Sequence, residues 1–254
     1  MVKSSRPVAT TLAVVLLAFT DLSAQKMMRI SGRVRAETGA AIESAQVRTD
    51  ALAGIRGAPF TGGRKFAAKS NREGYWALNG IERGVWIFEV SHPKYLPHVV
   101  AIPIGLVQAP DPNPPSWVLS VELQPRPDPD DVIGRLLGEA VDAIAAGRPE
   151  VALATVQRLY ELDLNPEAAC AAGDICLLLR RREAASVLFS RAAAARPDWY
   201  RPQLGLASAA IMGMDYDSST NAYRTTRELS RDADLQRTLS AVVFDLSKIL
   251  KLDR

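Results

Sequence analysis

Two histidines and two cysteines among 254 residues leave little material for a multi-ligand metal site or a disulfide framework. Aromatic residues make up only 6% of the chain, and the formal charge of +3 is too small and too diffuse to imply nucleic-acid binding. Long apolar runs are missing too. The uncharged stretch Val8–Thr20 has 13 residues, short of the ~20 needed to cross ~30 Å of hydrocarbon, and no later segment is apolar enough to span. No His-Glu-x-x-His, Gly-x-Ser-x-Gly or phosphate-cradling loop occurs. Gly62-Gly63-Arg64-Lys65 lacks the spacing and the hydroxyl of a phosphate loop and reads as a hairpin tip. What is present is 48% apolar residues, enough for a sizeable packed core.

Residues 1–24 read as a secretory signal peptide. Lys3 and Arg6 give a positive start, the run Val8–Thr20 follows, and Ala24 is a small residue before a cut at Gln25. Leu22 is larger than a cleavage site prefers, so an uncleaved N-terminal anchor is the alternative. The expected location is extracytoplasmic, periplasmic or secreted.

Composition then divides the rest of the chain. Residues 25–124 are rich in Gly, Pro and short β-prone runs, whereas 132–254 are dominated by Ala, Leu and Arg. Between them lies the Pro-rich linker 125–131, whose alternate prolines favour an extended, stiff conformation. Residues 25–126 hold 13 Lys and Arg against 8 Asp and Glu, and 127–254 hold 16 against 19, so the halves are of opposite sign. Screening keeps that attraction weak.

The first part predicts about seven short strands, among them 30–35, 42–47, 75–78, 85–90, 99–104 and 117–123, with turns at Glu37-Thr38-Gly39 and Asn71–Gly74 and a loop over 51–64. Trp117, Leu119, Val121 and Leu123 alternate, as do Trp86, Phe88 and Val90, so each run buries one face. This is the pattern of a small β-sandwich. The set Gly32-x-Val34, Gly39, Ser44-Ala45-x-Val47, Ser70-Asn71-x-x-Gly74-Tyr75-Trp76-x-Leu78, Ile81-x-x-Gly84-Val85-Trp86 and Tyr95 resembles the carboxypeptidase regulatory-like domain, which has a transthyretin-like fold. Ser70-Asn71 departs from the family's usual Thr-Asp, and the Gly-rich loop before it is longer than usual. The resemblance implies a stable accessory module of outer compartments, without catalytic residues of its own.

The second part repeats at about 34 residues. Residues 166–199 place Gly173, Ala185, Phe189, Ala192 and Pro197 at the packing positions of a tetratricopeptide unit, which they resemble. Residues 200–231 keep Ala207, Ser219, Tyr223 and Thr226 at the same spacing, and 132–165 offer Ala140, Gly147, Ala152, Val156 and Leu159. Leu235, Leu239, Val242, Leu246 and Ile249 form one stripe, read as a capping helix. The expected fold class is therefore multidomain, β then α: a transthyretin-like sandwich followed by a short tetratricopeptide-like solenoid.

In that family the first helix of each unit lines a concave face. The spacing places Leu137, Val141 and Ile144 there from the first unit, Glu167, Cys170, Asp174 and Leu177 from the second, and Arg201, Leu204, Ser208 and Ile211 from the third. Such a face suits an apolar or amphipathic peptide; the alternative is that these side chains pack on each other or on the sandwich. His92 and His98 are six residues apart, ~20 Å along a strand, and read as solvated loop residues with no metal between them. Cys170 and Cys176 fall in one helix, ~9 Å of rise apart and beyond the ~7 Å limit for a bridge, and read as packing residues. Arg180-Arg181-Arg182 reads as a solvated turn. The expectation is a non-enzymatic exported protein-interaction or scaffold protein with no cofactor. The alternative is a carbohydrate or small-ligand module using Trp76, Trp86 or Trp117, if any ring is exposed.

Overall fold

The computed structural model describes residues 28–53, 65–105 and 117–252. The leader and Gly62–Arg64 lie outside these residues.

The first part is a sandwich of two sheets. One holds β1 (Met28–Ala36) at its centre, antiparallel to β4 (Tyr75–Ile81) and parallel to the short β7 (Trp117–Val118) and β8 (Val121–Leu123). The other runs in the order β3 (Phe66–Lys69), β2 (Gln46–Ala53), β5 (Gly84–Ser91), β6 (His98–Ile104), all antiparallel. Trp76 of the first sheet meets Phe88 of the second with ring centroids 6.1 Å apart, inside a core that includes Val34, Val47 and Leu78. The expected strand at 42–47 begins only at Gln46, because Ser44 turns the chain at φ 61°. β2 then continues through Ala53, into residues expected to be loop, and pairs with β3, which was not expected. The turn at 71–74 forms as the residue types dictate: Asn71 Oδ1 accepts from the N–H groups of Glu73 and Tyr75 at 3.1 and 2.9 Å. Ser70 completes it, accepting from Ala45 N–H at 2.9 Å and donating to the Ile42 carbonyl at 2.6 Å. The Ser-Asn departure thus still supplies the polar contacts that close this corner.

The second part is three helical hairpins and a last helix: α1 (Val132–Ala145) with α2 (Pro149–Tyr160), α3 (Pro166–Leu178) with α4 (Arg182–Ala195), α5 (Tyr200–Met212) with α6 (Tyr216–Leu229), then α7 (Ala233–Leu252). These are the expected units. Asp131, Asn165 and Asp215 cap α1, α3 and α6 through their side chains. Phe189 fixes the crossing of the middle hairpin with α5. A Cβ on Gly173 would come within 2.7 Å of its ring and one on Gly205 within 2.5 Å, so only glycine lets both helices approach. α3 is buried without a break from Ala168 to Leu177, which explains its run of Ala, Gly and Cys and its lack of a polar face. No helix among the described residues is long and apolar enough to cross a membrane.

The linker is not a free spacer. Leu96 N–H donates to the Gln124 carbonyl at 2.8 Å and Arg126 N–H to the Lys94 carbonyl at 3.1 Å, so the chain after β8 is stitched to the segment before β6.

Candidate functional site

β6 is an edge strand, and an edge exposes main-chain donors that another chain can capture. Here the helical stack captures them. Val99 N–H donates to Asp174 at 3.1 Å and Ala101 N–H to Ser208 Oγ at 3.0 Å, while the next residue in that alternation is Pro103, which has no donor. Tyr223 donates its hydroxyl to the Ala101 carbonyl at 2.6 Å. Thr238 of α7 does the same for β7, accepting from Val118 N–H at 3.2 Å and donating to its carbonyl at 2.7 Å. β6 is consequently buried at every position, on its sandwich face and its helical face alike.

Behind this contact lies a charged cluster. His98, 3% exposed, opens β6 and points Nδ1 at both oxygens of Asp174, at 3.0 and 3.1 Å. Arg201 Nη2 donates to the same carboxylate at 3.0 Å. Glu37 stands 3.8 Å from Arg201 Nη1. Burial works against the Arg201 charge, yet Cys170, Asp174, Tyr200 and Glu37 around it hold its pKa above the ordinary value. Burial pushes the Cys170 thiol well up and the Cys176 thiol up to about 12. Neither is an activated nucleophile, and both are free. Among the described residues, no group of three His, Cys, Asp or Glu could hold a metal ion.

The residues expected on the inner face therefore divide. Asp174, Arg201 and Ser208 meet β6 and its first residue directly, and Cys170, Leu177, Leu204 and Ile211 are buried in the same stack. That stretch of the face is filled by the protein's own strand and holds no open groove. Val141 and Ile144 are half-buried and line a recess of about 310 Å³ whose other wall is sandwich: Arg48, Glu89, Val90 and Pro97. Leu137 and Glu167 line a second recess, of about 230 Å³, against the linker. Glu167 also ion-pairs with Arg196.

Three expectations are corrected. His98 is a buried interface residue and not a solvated one; its partner lies 76 residues away, so nothing local signals it. Arg180 at the triple-arginine turn reaches across to Asp50 at 3.1 Å and Glu89 at 3.9 Å, a half-exposed set of small energetic weight. Trp76, Trp86 and Trp117 are at most 5% exposed, so none offers a ring face on which a sugar could stack. His92 remains half-exposed, with its ring edge against Tyr95 at 5.3 Å.

Sequence reasoning also missed Gln124. It stands at the sandwich's last position, just before the linker, yet it is 4% exposed, and neither its side-chain nitrogen nor its oxygen has a hydrogen-bond partner among the described residues. Each such buried orphan costs about 1–3 kcal/mol.

No protein-family model matches the chain, and no match was found among the curated proteins. Among solved structures, the chain is similar to PcrH from Pseudomonas aeruginosa, at 19% identity and a TM-score of 0.39, over 48% of this chain and 96% of that one. A structure of PcrH in complex with the chaperone binding region of PopD gives 18% identity and a TM-score of 0.41, over 49% and 98%. The type III secretion translocator chaperone SycD from Yersinia enterocolitica gives 16% and 0.41, over 48% and 88%.

Proposed function

We propose that this chain is an exported, non-enzymatic scaffold for a protein or peptide partner, in which a carboxypeptidase regulatory-like sandwich and a tetratricopeptide-like stack act as one rigid unit. The observation that carries this reading is the way the helices hold β6 and β7. Asp174, Ser208, Tyr223 and Thr238 address main-chain N–H and C=O groups of an extended segment. A surface that reads main chain suits peptides and strands. Part of that surface is committed to joining the two modules. The neighbouring recess around Val141 and Ile144, with Arg48 and Glu89 on its other wall, is the side open to a partner. Export rests on the leader, with Lys3, Arg6 and Ala24 as its marks.

The test is affinity capture from the cell envelope with the full chain, comparing the native protein with Val141→Arg/Ile144→Arg. Both residues are half-buried and touch the core, so the comparison is made below the melting temperature of the double variant, with its fold checked by circular dichroism. Partner recovery should fall about tenfold. Equal recovery with both proteins rejects the recess as the partner side. N-terminal sequencing of the envelope-associated protein should begin at Gln25; an intact leader on cytosolic protein rejects export.

A further inference from the structure

β1 carries Arg29, Arg33 and Arg35 on the side of its sheet that faces away from the sandwich core, in alternation with the buried Ile30, Gly32, Val34 and Ala36. Their neighbours on β4 are uncharged: Asn79 stands opposite Arg29, Ala77 opposite Ser31 and Tyr75 opposite Arg33. Opposite Arg35 is Glu122 of β8, which accepts from the Tyr200 hydroxyl at 3.2 Å. The helices hold β6 and β7 and leave Arg29, Tyr75 and Asn79 exposed. Arg72 pairs with Glu43 at 3.8 Å and Arg126 with Asp142 at 2.9 Å, whereas among the described residues none of the three arginines of β1 is ion-paired.

The row from Arg29 to Arg35 is ~20 Å long. A single phosphate or sugar acid reaches only part of it, so the complementary object is an extended anionic one. Arg33 is held in place: its Nε–H donates to the Glu73 carbonyl at 2.7 Å, and its guanidinium lies 4.9 Å from the Tyr75 ring centroid. Arg29 and Arg35 have no such anchor among the described residues. Fixing them on a rigid acidic protein or polysaccharide costs rotamer entropy. A fluid array of lipid headgroups arranges itself around them and demands no fixed geometry. Tyr75, 54% exposed beside Arg33, is the kind of amphipathic ring enriched at membrane–water interfaces. The row also begins nine residues after Thr20, where the apolar run of the leader ends, a reach of at most ~30 Å.

We propose that the outer face of β1 and β4 docks on the anionic surface of a phospholipid bilayer, with Arg29, Arg33 and Arg35 over lipid phosphates and Tyr75 at the headgroup level. The recess at Val141 and Ile144 is lined from the other sheet, so a scaffold docked in this way keeps its partner side open. Docking goes beyond the scaffold reading and does not depend on it.

The test is cosedimentation of the full chain with phosphatidylcholine vesicles and with mixed phosphatidylglycerol–phosphatidylcholine vesicles. Binding should be about tenfold or more tighter on the mixed vesicles. It should fall away as salt rises from ~0.1 M to ~1 M, which shortens the screening length from ~10 Å to ~3 Å. Arg29→Gln/Arg33→Gln/Arg35→Gln should weaken binding about fivefold for each arginine, and the corresponding triple lysine variant should keep it within about twofold. Arg158→Gln/Arg224→Gln/Arg237→Gln, on the helical stack, makes the same change in net charge and should leave binding unchanged. Arg29 is exposed, so Arg29→Gln alone, with its loss of about fivefold, decides the matter if the triple variant does not fold. Equal binding to the two vesicle types, no binding to either, or an equal loss from the helical variant overturns the proposal. So does binding that no β1 substitution changes, which belongs to the leader. Stronger competition by soluble polygalacturonate than by free mixed vesicles makes this a polysaccharide surface and overturns it too.

Discussion

Asp174 holds three groups at once: the Val99 main-chain N–H, the His98 ring and the Arg201 guanidinium. Removing it would strand a buried cation and a buried donor, a change of about 3–5 kcal/mol. Asp174→Ala should therefore lower the unfolding free energy by that amount in urea titration. Asp174→Ala/Arg201→Met, which removes the charge along with its partner, should recover part of the loss. A single-variant effect below about 1 kcal/mol would mean that Asp174 does not hold these groups in solution. A second residue-scale test lies at the turns inside the hairpins. Gly147, Arg180 and Met214 occupy equivalent positions at φ 69°, 59° and 59°. Only the first is a residue that adopts this conformation without steric cost. Met214→Gly should stabilise the protein by about 0.5–1 kcal/mol, read as a rise in melting temperature. A fall would mean that the Met214 contact with the Tyr216 hydroxyl at 3.5 Å outweighs the backbone strain.

At the scale of elements, the helical hairpins were legible and the sandwich less so. Helix pairing depends on small residues and an aromatic at fixed spacing, all local, and Phe189 against Gly173 and Gly205 is that pattern realised. Gly205→Ala tests it: helix propensity alone favours alanine by about 1 kcal/mol, whereas overpacking costs about 1–3 kcal/mol. The account predicts net destabilisation, relieved by Phe189→Leu in the same chain. Strand ends are set by partners far along the chain. β3 has four residues and no flanking alternation, so its pairing with β2 had no readable trace. His98 and Gln124 escaped for the same reason. Helical spacing grouped Asp174, Arg201 and Ser208 on one face, but nothing in one sequence says that β6 meets them there.

For the whole molecule, burial inside the helical stack and against β6 gives the protein a pH response. Burial raises the thiols of Cys170 and Cys176 from 9.0 and the phenols of Tyr200 and Tyr223 from 10.0. The folded chain keeps these protons where the unfolded chain sheds them. Stability is thus complete below about pH 9 and falls as pH rises toward the folded values, by up to ~1.4 kcal/mol per unit for each group. Alkaline titration of the unfolding free energy should show this decline beginning with the thiols. Cys170→Ala/Cys176→Ala should flatten the part below pH 10, and an unchanged slope would contradict the thiol assignment.

The claim that the helices clasp the sandwich edge is tested most directly by amide hydrogen exchange of Val99 and Ala101 in the full chain. Both N–H groups point away from β5, where an open edge would exchange within seconds to minutes. The account predicts protection equal to that of Ile87 and Phe88 in the neighbouring strand, lost by at least tenfold at Ala101 in Ser208→Ala. Fast exchange at both positions in the native protein would show that the clasp does not form.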